Sequence, residues 1–192
     1  MRTAALTTVI AAAALAAAAC TSTQTGQASP TSGQTAGSSA SSSPSSGSTN
    51  GLVGLNACTL LTDDEARQVA PGAGTHTDNG ELGGAGTSDC EWTKPVTNGT
   101  GGVTFGITVR PAQGLKDIVL KPRGKRTDTT SPGGRPAAVV TNNEGEGSCA
   151  AVIAVGSGRI DINAATVHDT TQEMCAVVDK VIEYVEPKLP AS

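Results

Sequence analysis

Apolar and polar residues alternate most strictly where Val103, Phe105, Ile107 and Val109 are interleaved with Thr104, Gly106, Thr108 and Arg110. A period of two with one apolar face predicts a half-buried antiparallel strand. Cys90 and Trp92 flank Glu91 in the same rhythm and predict the start of another strand, with both side chains facing inward. Further along, residues 136–141, 149–155 and 159–164 read as a three-stranded meander, joined by a loop over 142–147 and a turn at Gly156-Ser157-Gly158. Ile160 and Ile162 face one way in the last of these.

The period then changes. Met174, Val177, Val178, Val181, Ile182 and Val185 form one helical stripe, opened by a capping box at Thr170 and Glu173 and closed after Glu186 by Pro187. Thr62 and Glu65 make a second capping box, which predicts a first helix ending near Ala70, because Pro71-Gly72 cannot continue it. Leu115, Ile118 and Val119 at helical spacing predict a short helix between Pro111 and Pro122. The glycine-rich stretch 72–87, with His76, Asp78, Asn79 and Glu81, reads as a mobile loop. The sum is an α+β domain, an antiparallel sheet with helices packed on one face.

Residues 1–50 show neither period. Arg2 is followed by an uncharged, Ala-rich run and then by Cys20, which reads as a signal peptide over residues 1–19. The run is too short and too weakly apolar for a spanning helix, which needs about 20 residues. Ala17-Ala18-Ala19-Cys20 resembles a bacterial lipobox, in which the cysteine is lipidated and becomes the mature N-terminus. Plain cleavage at an Ala-x-Ala site is the alternative. Residues 21–50 hold no charge, aromatic or branched aliphatic side chain, so they cannot bury enough surface to offset chain entropy. With Cys20 they make a flexible tether over residues 20–50, which as a Gly/Ser-type coil spans roughly 30 Å. The remaining residues, 51–192, are of ordinary size for one domain. These features place the domain on the extracytoplasmic face of the cell membrane, with the membrane itself a partner through the N-terminal lipid.

Charge and cysteines narrow the function. The formal charge is −4, and Arg2 is the one charge before residue 51, so the acidic excess lies in the domain. That excludes an ordinary nucleic-acid binder, which carries a basic excess. Cys58, Cys90, Cys149 and Cys175 form an even set in an oxidising compartment and predict two disulfides. Three pairings are formally possible. The sequential one, Cys58 with Cys90 and Cys149 with Cys175, closes two moderate loops, and Cys175 sits near enough to the apolar stripe of its helix to reach Cys149. One Trp, one Phe and one Tyr make a modest core that two staples would support.

No catalytic constellation emerges. His76 and His168 are the two histidines, and no Gly-x-Ser-x-Gly elbow accompanies them. His168-Asp169 reads as a solvated loop residue and a helix-start acid. A metal is not expected: no Cys-x-x-Cys exists, His76, Asp78 and Glu81 sit in a glycine-rich loop, and the acidic loop 142–147 lacks calcium-loop spacing. Gly156-x-Gly158 joins two strands, so it is no phosphate cradle, and no cofactor is implied. The local exception to the acidic average is Lys116, Lys121, Arg123, Lys125 and Arg126, a candidate contact for an anionic envelope ligand or an envelope protein. No aromatic is interleaved with it, as nucleic-acid stacking would require.

Cys58-Thr59-Leu60-Leu61-Thr62 before a helix, Cys90-Glu91-Trp92, Gly134-Arg135-Pro136-Ala137 before a strand, Cys149 at a strand start, Cys175 in a terminal helix and the Leu189-Pro190 ending resemble the actinobacterial lipoprotein domain of unknown function three-five-five-eight. The resemblance covers about residues 55 to 190. It implies an exported, lipid-anchored, disulfide-bearing domain and transfers no catalytic residue. The expected function is a non-enzymatic envelope lipoprotein with a small binding or interaction domain. An envelope-acting hydrolase and an accessory subunit of an envelope complex are the alternatives.

Overall fold

The computed structural model describes residues 51–97, 99 and 102–191. The expected signal peptide, Cys20 and the tether lie outside the described residues.

Seven strands form one antiparallel sheet: β1 (Thr77–Gly80), β2 (Ser88–Lys94), β3 (Val103–Arg110), β4 (Lys125–Thr130), β5 (Pro136–Thr141), β6 (Ser148–Val155) and β7 (Gly158–Thr166). Their order across the sheet is β1-β2-β3-β7-β6-β5-β4. Two meanders, β1 to β3 and β4 to β7, therefore meet at one seam. At that seam Phe105 pairs with Ala164, Ile107 with Ile162 and Val109 with Ile160.

Two helices, α1 (Asp63–Val69) and α2 (Thr171–Val185), are capped as predicted. Thr62 Oγ1 accepts from Glu65 N at 3.2 Å while Glu65 answers Thr62 N at 2.8 Å, and Thr170 and Glu173 repeat the arrangement. Each pair satisfies helix-start donors that have no partner within the helix. α2 lies on β6 and β7, and its Met174, Val178, Val181 and Val185 are buried against Ile160, Ile162, Ala151 and Ile153. Trp92 and Phe105, register partners on the same face, stack with ring centroids 6.0 Å apart. Lys188 Nζ reaches Leu60 O and both oxygens of Glu65, and Tyr184 OH donates to Gln68. The end of the chain is thereby bound to α1.

Both disulfides form in the sequential pairing. Cys58–Cys90 ties the turn before α1 to β2, and Cys149–Cys175 ties β6 to α2, each with Cα atoms 5.1 Å apart. The antiparallel sheet with helices on one side is as expected.

Three local expectations are corrected. The helix expected between Pro111 and Pro122 is a single 3-10 turn, Leu115–Asp117, within an otherwise extended connection. Val119, which a helical stripe would have buried, is 80% exposed. The stretch 72–87 is not one loop, because Thr77–Gly80 pairs with β2. The C-terminal meander has four strands rather than three, since the basic segment itself supplies β4. These two edge strands contain no apolar residue, so nothing in their pattern marks them.

Candidate functional site

Successive strand residues point to opposite faces, so the register fixes what lies on the face without helices. There β3 presents Thr108 and Arg110, β7 presents Arg159, Asp161 and Asn163, and β6 presents Ala150 and Val152, with Val140 of β5 beside them. The connection from β3 to β4, residues 111–124, crosses this face as a strap. Its root is possible because Gly158 has no side chain: a Cβ there would stand 2.7 Å from Arg110 O and 2.8 Å from Pro111 O.

Polar side chains fasten the strap to the sheet. Arg159 Nη1 donates to Gly114 O at 2.9 Å and Arg126 Nη1 to Leu115 O at 2.8 Å. At the far end Lys121 N donates to Asn143 Oδ1 at 2.8 Å, and Lys121 and Glu144 form an ion pair. Between strap and sheet runs a groove of about 450 Å³. That volume lies in the range of small-molecule sites, about 300–1,000 Å³. Its floor is polar at Arg110, Arg159, Asp161 and Asn163 and apolar at Val140, Ala150 and Val152, and Ile118 and Val119 lie along its strap side.

The polar end is a charge triad. Arg110 Nε donates to Asp161 Oδ2 at 2.6 Å, and Arg159 Nη2 donates to the same oxygen at 3.3 Å. Arg159 Nε lies 2.8 Å from Asp161 Oδ1, an ion contact outside hydrogen-bond geometry that leaves both atoms without a hydrogen-bond partner. Arg110 Nη1 donates to Gly83 O and Gln113 Oε1, both at 3.2 Å, which ties the glycine-rich stretch and the strap to the triad.

Besides the two capping-box glutamates, the carboxylates of Glu91 and Asp63 are perturbed. Burial, with the neighbouring Asp89 charge, pushes the Glu91 carboxyl up, and Glu91 lies on the same open face as the triad. On the helix side, hydrogen bonds from His76 and then Trp92 Nε1 hold Asp63 at about 2. This Asp63–His76 pair is the nearest thing to a catalytic dyad. Among the described residues no hydroxyl is hydrogen-bonded to His76, and the pair sits on the face opposite the groove. His168 is exposed beyond β7. Among the described residues, no group of three or more His, Cys, Asp and Glu is placed to hold a metal ion. No helix among them is long and apolar enough to cross a membrane.

The five cations that the sequence singles out are distributed over the strap and β4. Lys116, Lys121 and Arg123 are on the strap, and Lys125 and Arg126 fall on opposite faces of β4. Lys121 pairs with Glu144, and Arg126 pairs with Asp128 while holding the strap. The residues that do converge, Arg110, Arg159 and Asp161, were within reach of the sequence as charges on the polar side of otherwise apolar strands. Only the pairing of β3 with β7 brings them together.

A family model described as a protein of unknown function (DUF3558) matches residues 15–188. No curated protein and no solved structure matches the chain.

Proposed function

Given that the chain belongs to the DUF3558 family of proteins of unknown function, we propose that it is an exported, lipid-anchored envelope protein whose domain binds a small ligand in the groove between strap and sheet, without catalysing a reaction. The observation that carries the binding role is the groove itself: a cavity of about 450 Å³, apolar along one part and charged along the other, under a strap fastened at both ends. A concave site with a few convergent polar groups is the usual form of a ligand pocket. Within the basic segment, Lys121 and Arg126 help to fasten the strap.

The anchoring reading is supported by Ala17-Ala18-Ala19-Cys20 followed by an uncharged tract, and by a family match that begins at residue 15 and so takes in these residues. Two disulfides suit a domain outside the reducing cytosol.

The test is native mass spectrometry of the protein extracted from the membrane of its own host. A diacylglyceryl adduct on Cys20 and a co-purifying small molecule that is lost from Ala150→Trp, which fills the groove floor, are the expected results. An unmodified Cys20 removes the anchor from the reading. A bound molecule indifferent to Ala150→Trp removes the groove from it.

A further inference from the structure

The triad at the polar end of the groove does not balance, while the other lining carboxylates are engaged elsewhere, Glu144 with Lys121 and Asp117 with Gly114 N, and this local excess of cation identifies what the groove takes, provided it is a binding site as read above. Arg110 and Arg159 are direct register partners, and one carboxylate, Asp161, serves both. Like charges directly opposite each other destabilise a sheet. A second cation here is a cost to the fold, and local rules are broken in this way at functional sites.

The two guanidinium groups are not equivalent. The Arg159 side chain is 8% exposed and committed to Asp161 and Gly114 O. Arg110 is 22% exposed, and while its Nε and Nη1 are engaged, its Nη2 donates to no described residue. The strap's own carboxylate, Asp117, accepts from Gly114 N at 2.8 Å. Beyond β7 the groove turns apolar, with Val140, Ala150 and Val152 on its floor and Ile118 on its strap side. A low-dielectric wall near a cation that has only a share of one carboxylate strengthens its pull on an anion.

We propose that the groove binds an anionic amphiphile, with a carboxylate or phosphate head against Arg110 and an acyl or alkyl body between the strap and the apolar floor. The body is held by burial of its methylene groups, the head by the charge that Asp161 leaves unmatched.

The test uses the full-length, ¹⁵N-labelled chain carrying Cys20→Ser, purified without detergent and titrated separately with dodecanoate, dodecyl phosphate, dodecanol and inorganic phosphate below micellar concentrations. The readout is the Arg Nε–H signals together with the amides of Ile118, Ala150 and Val152. Dodecanoate and dodecyl phosphate saturate these signals, and dodecanol and inorganic phosphate bind at least about tenfold more weakly. The tighter of the first two names the head. Arg110→Gln also strips Asp161 of a partner, so the discriminating variant is Gln113→Glu, which brings a second carboxylate to Arg110. It weakens both anions about tenfold and leaves dodecanol unchanged. Dodecanol binding as tightly as dodecanoate, or indifference to Gln113→Glu, overturns the anionic head. Inorganic phosphate binding as tightly as dodecyl phosphate overturns the apolar body. No groove shift with any of the four, while the co-purifying molecule is still lost from Ala150→Trp, overturns this inference and leaves the groove a site for another ligand. A co-purifying molecule retained by Ala150→Trp overturns the groove reading on which the inference rests.

Discussion

Arg110 and Arg159 face each other across the β3–β7 seam, and both are held to the single carboxylate of Asp161. The seam joins the two meanders, so this triad sits where half of the sheet meets the other half. Asp161→Asn leaves two opposed and largely buried guanidinium groups without their shared counter-charge. The expected loss is about 3 kcal/mol of unfolding free energy, read by urea denaturation at neutral pH. A loss well under about 1 kcal/mol would mean that water alone suffices for both cations.

Removing the second disulfide tests how far α2 depends on it. Cys149 and Cys175 are 26 residues apart in sequence, and α2 also carries an apolar stripe of its own. The double variant Cys149→Ser with Cys175→Ser is expected to lose about 3 kcal/mol in thermal or urea unfolding while keeping its helical circular dichroism. Disappearance of the helical signal under native conditions would show that the stripe cannot hold the helix unaided.

Acid should weaken the contact between α1 and β2. Asp63, bonded first by the His76 side chain and then by Trp92, titrates at about 2 when folded, against 3.8 as its ordinary value. A depressed carboxyl stabilises the fold above its unfolded value and loses that contribution as pH falls from about 4 towards 2. The Asp63 side chain is 26% exposed, which screens the contribution to about 1 kcal/mol. Stability curves of the parent and Asp63→Asn should therefore converge as pH falls through this window. Curves that stay parallel would rule the contact out as a source of acid sensitivity.

Glu91 has the opposite sign. Burial, and then the charge of Asp89, raise its carboxyl pKa, so its ionised form at neutral pH works against the folded state. That cost disappears as pH falls and the group protonates. Glu91→Gln is expected to gain about 0.5 kcal/mol at pH 7 and nothing near pH 4, measured by differential scanning calorimetry at the two pH values. A destabilised variant at pH 7 would show that the Glu91 carboxylate has a partner worth more than its desolvation.

What the chain reveals of itself follows from how strongly burial writes a pattern. β3 occupies the residues that alternation marks, because its Phe105, Ile107 and Val109 are all buried. Both capping boxes and the α2 stripe are local chemistry and read directly. β4, Lys-Arg-Thr-Asp-Thr-Thr, is exposed over most of its length and leaves no apolar trace. The residues Leu115, Ile118 and Val119 carry helical spacing, but the chain there is drawn across the sheet by bonds to Arg159, Arg126 and Asn143, which lie 45, 11 and 22 positions from their partners. For the same reason the groove was not legible. Arg110 and Asp161 are 51 positions apart, and no local rule sets the register that joins them.

The placement of the cross-links divides the domain. Cys58–Cys90 lies wholly before the strap and Cys149–Cys175 wholly after it, so neither bridges the β3–β7 seam. A protease that nicks the strap near the exposed Val119 would leave two fragments, each internally cross-linked, with no covalent bond between them. They would remain associated through eight paired positions of the seam and the core above it, separate on a denaturing gel without any reductant, and be suited to reassembly from separately produced halves.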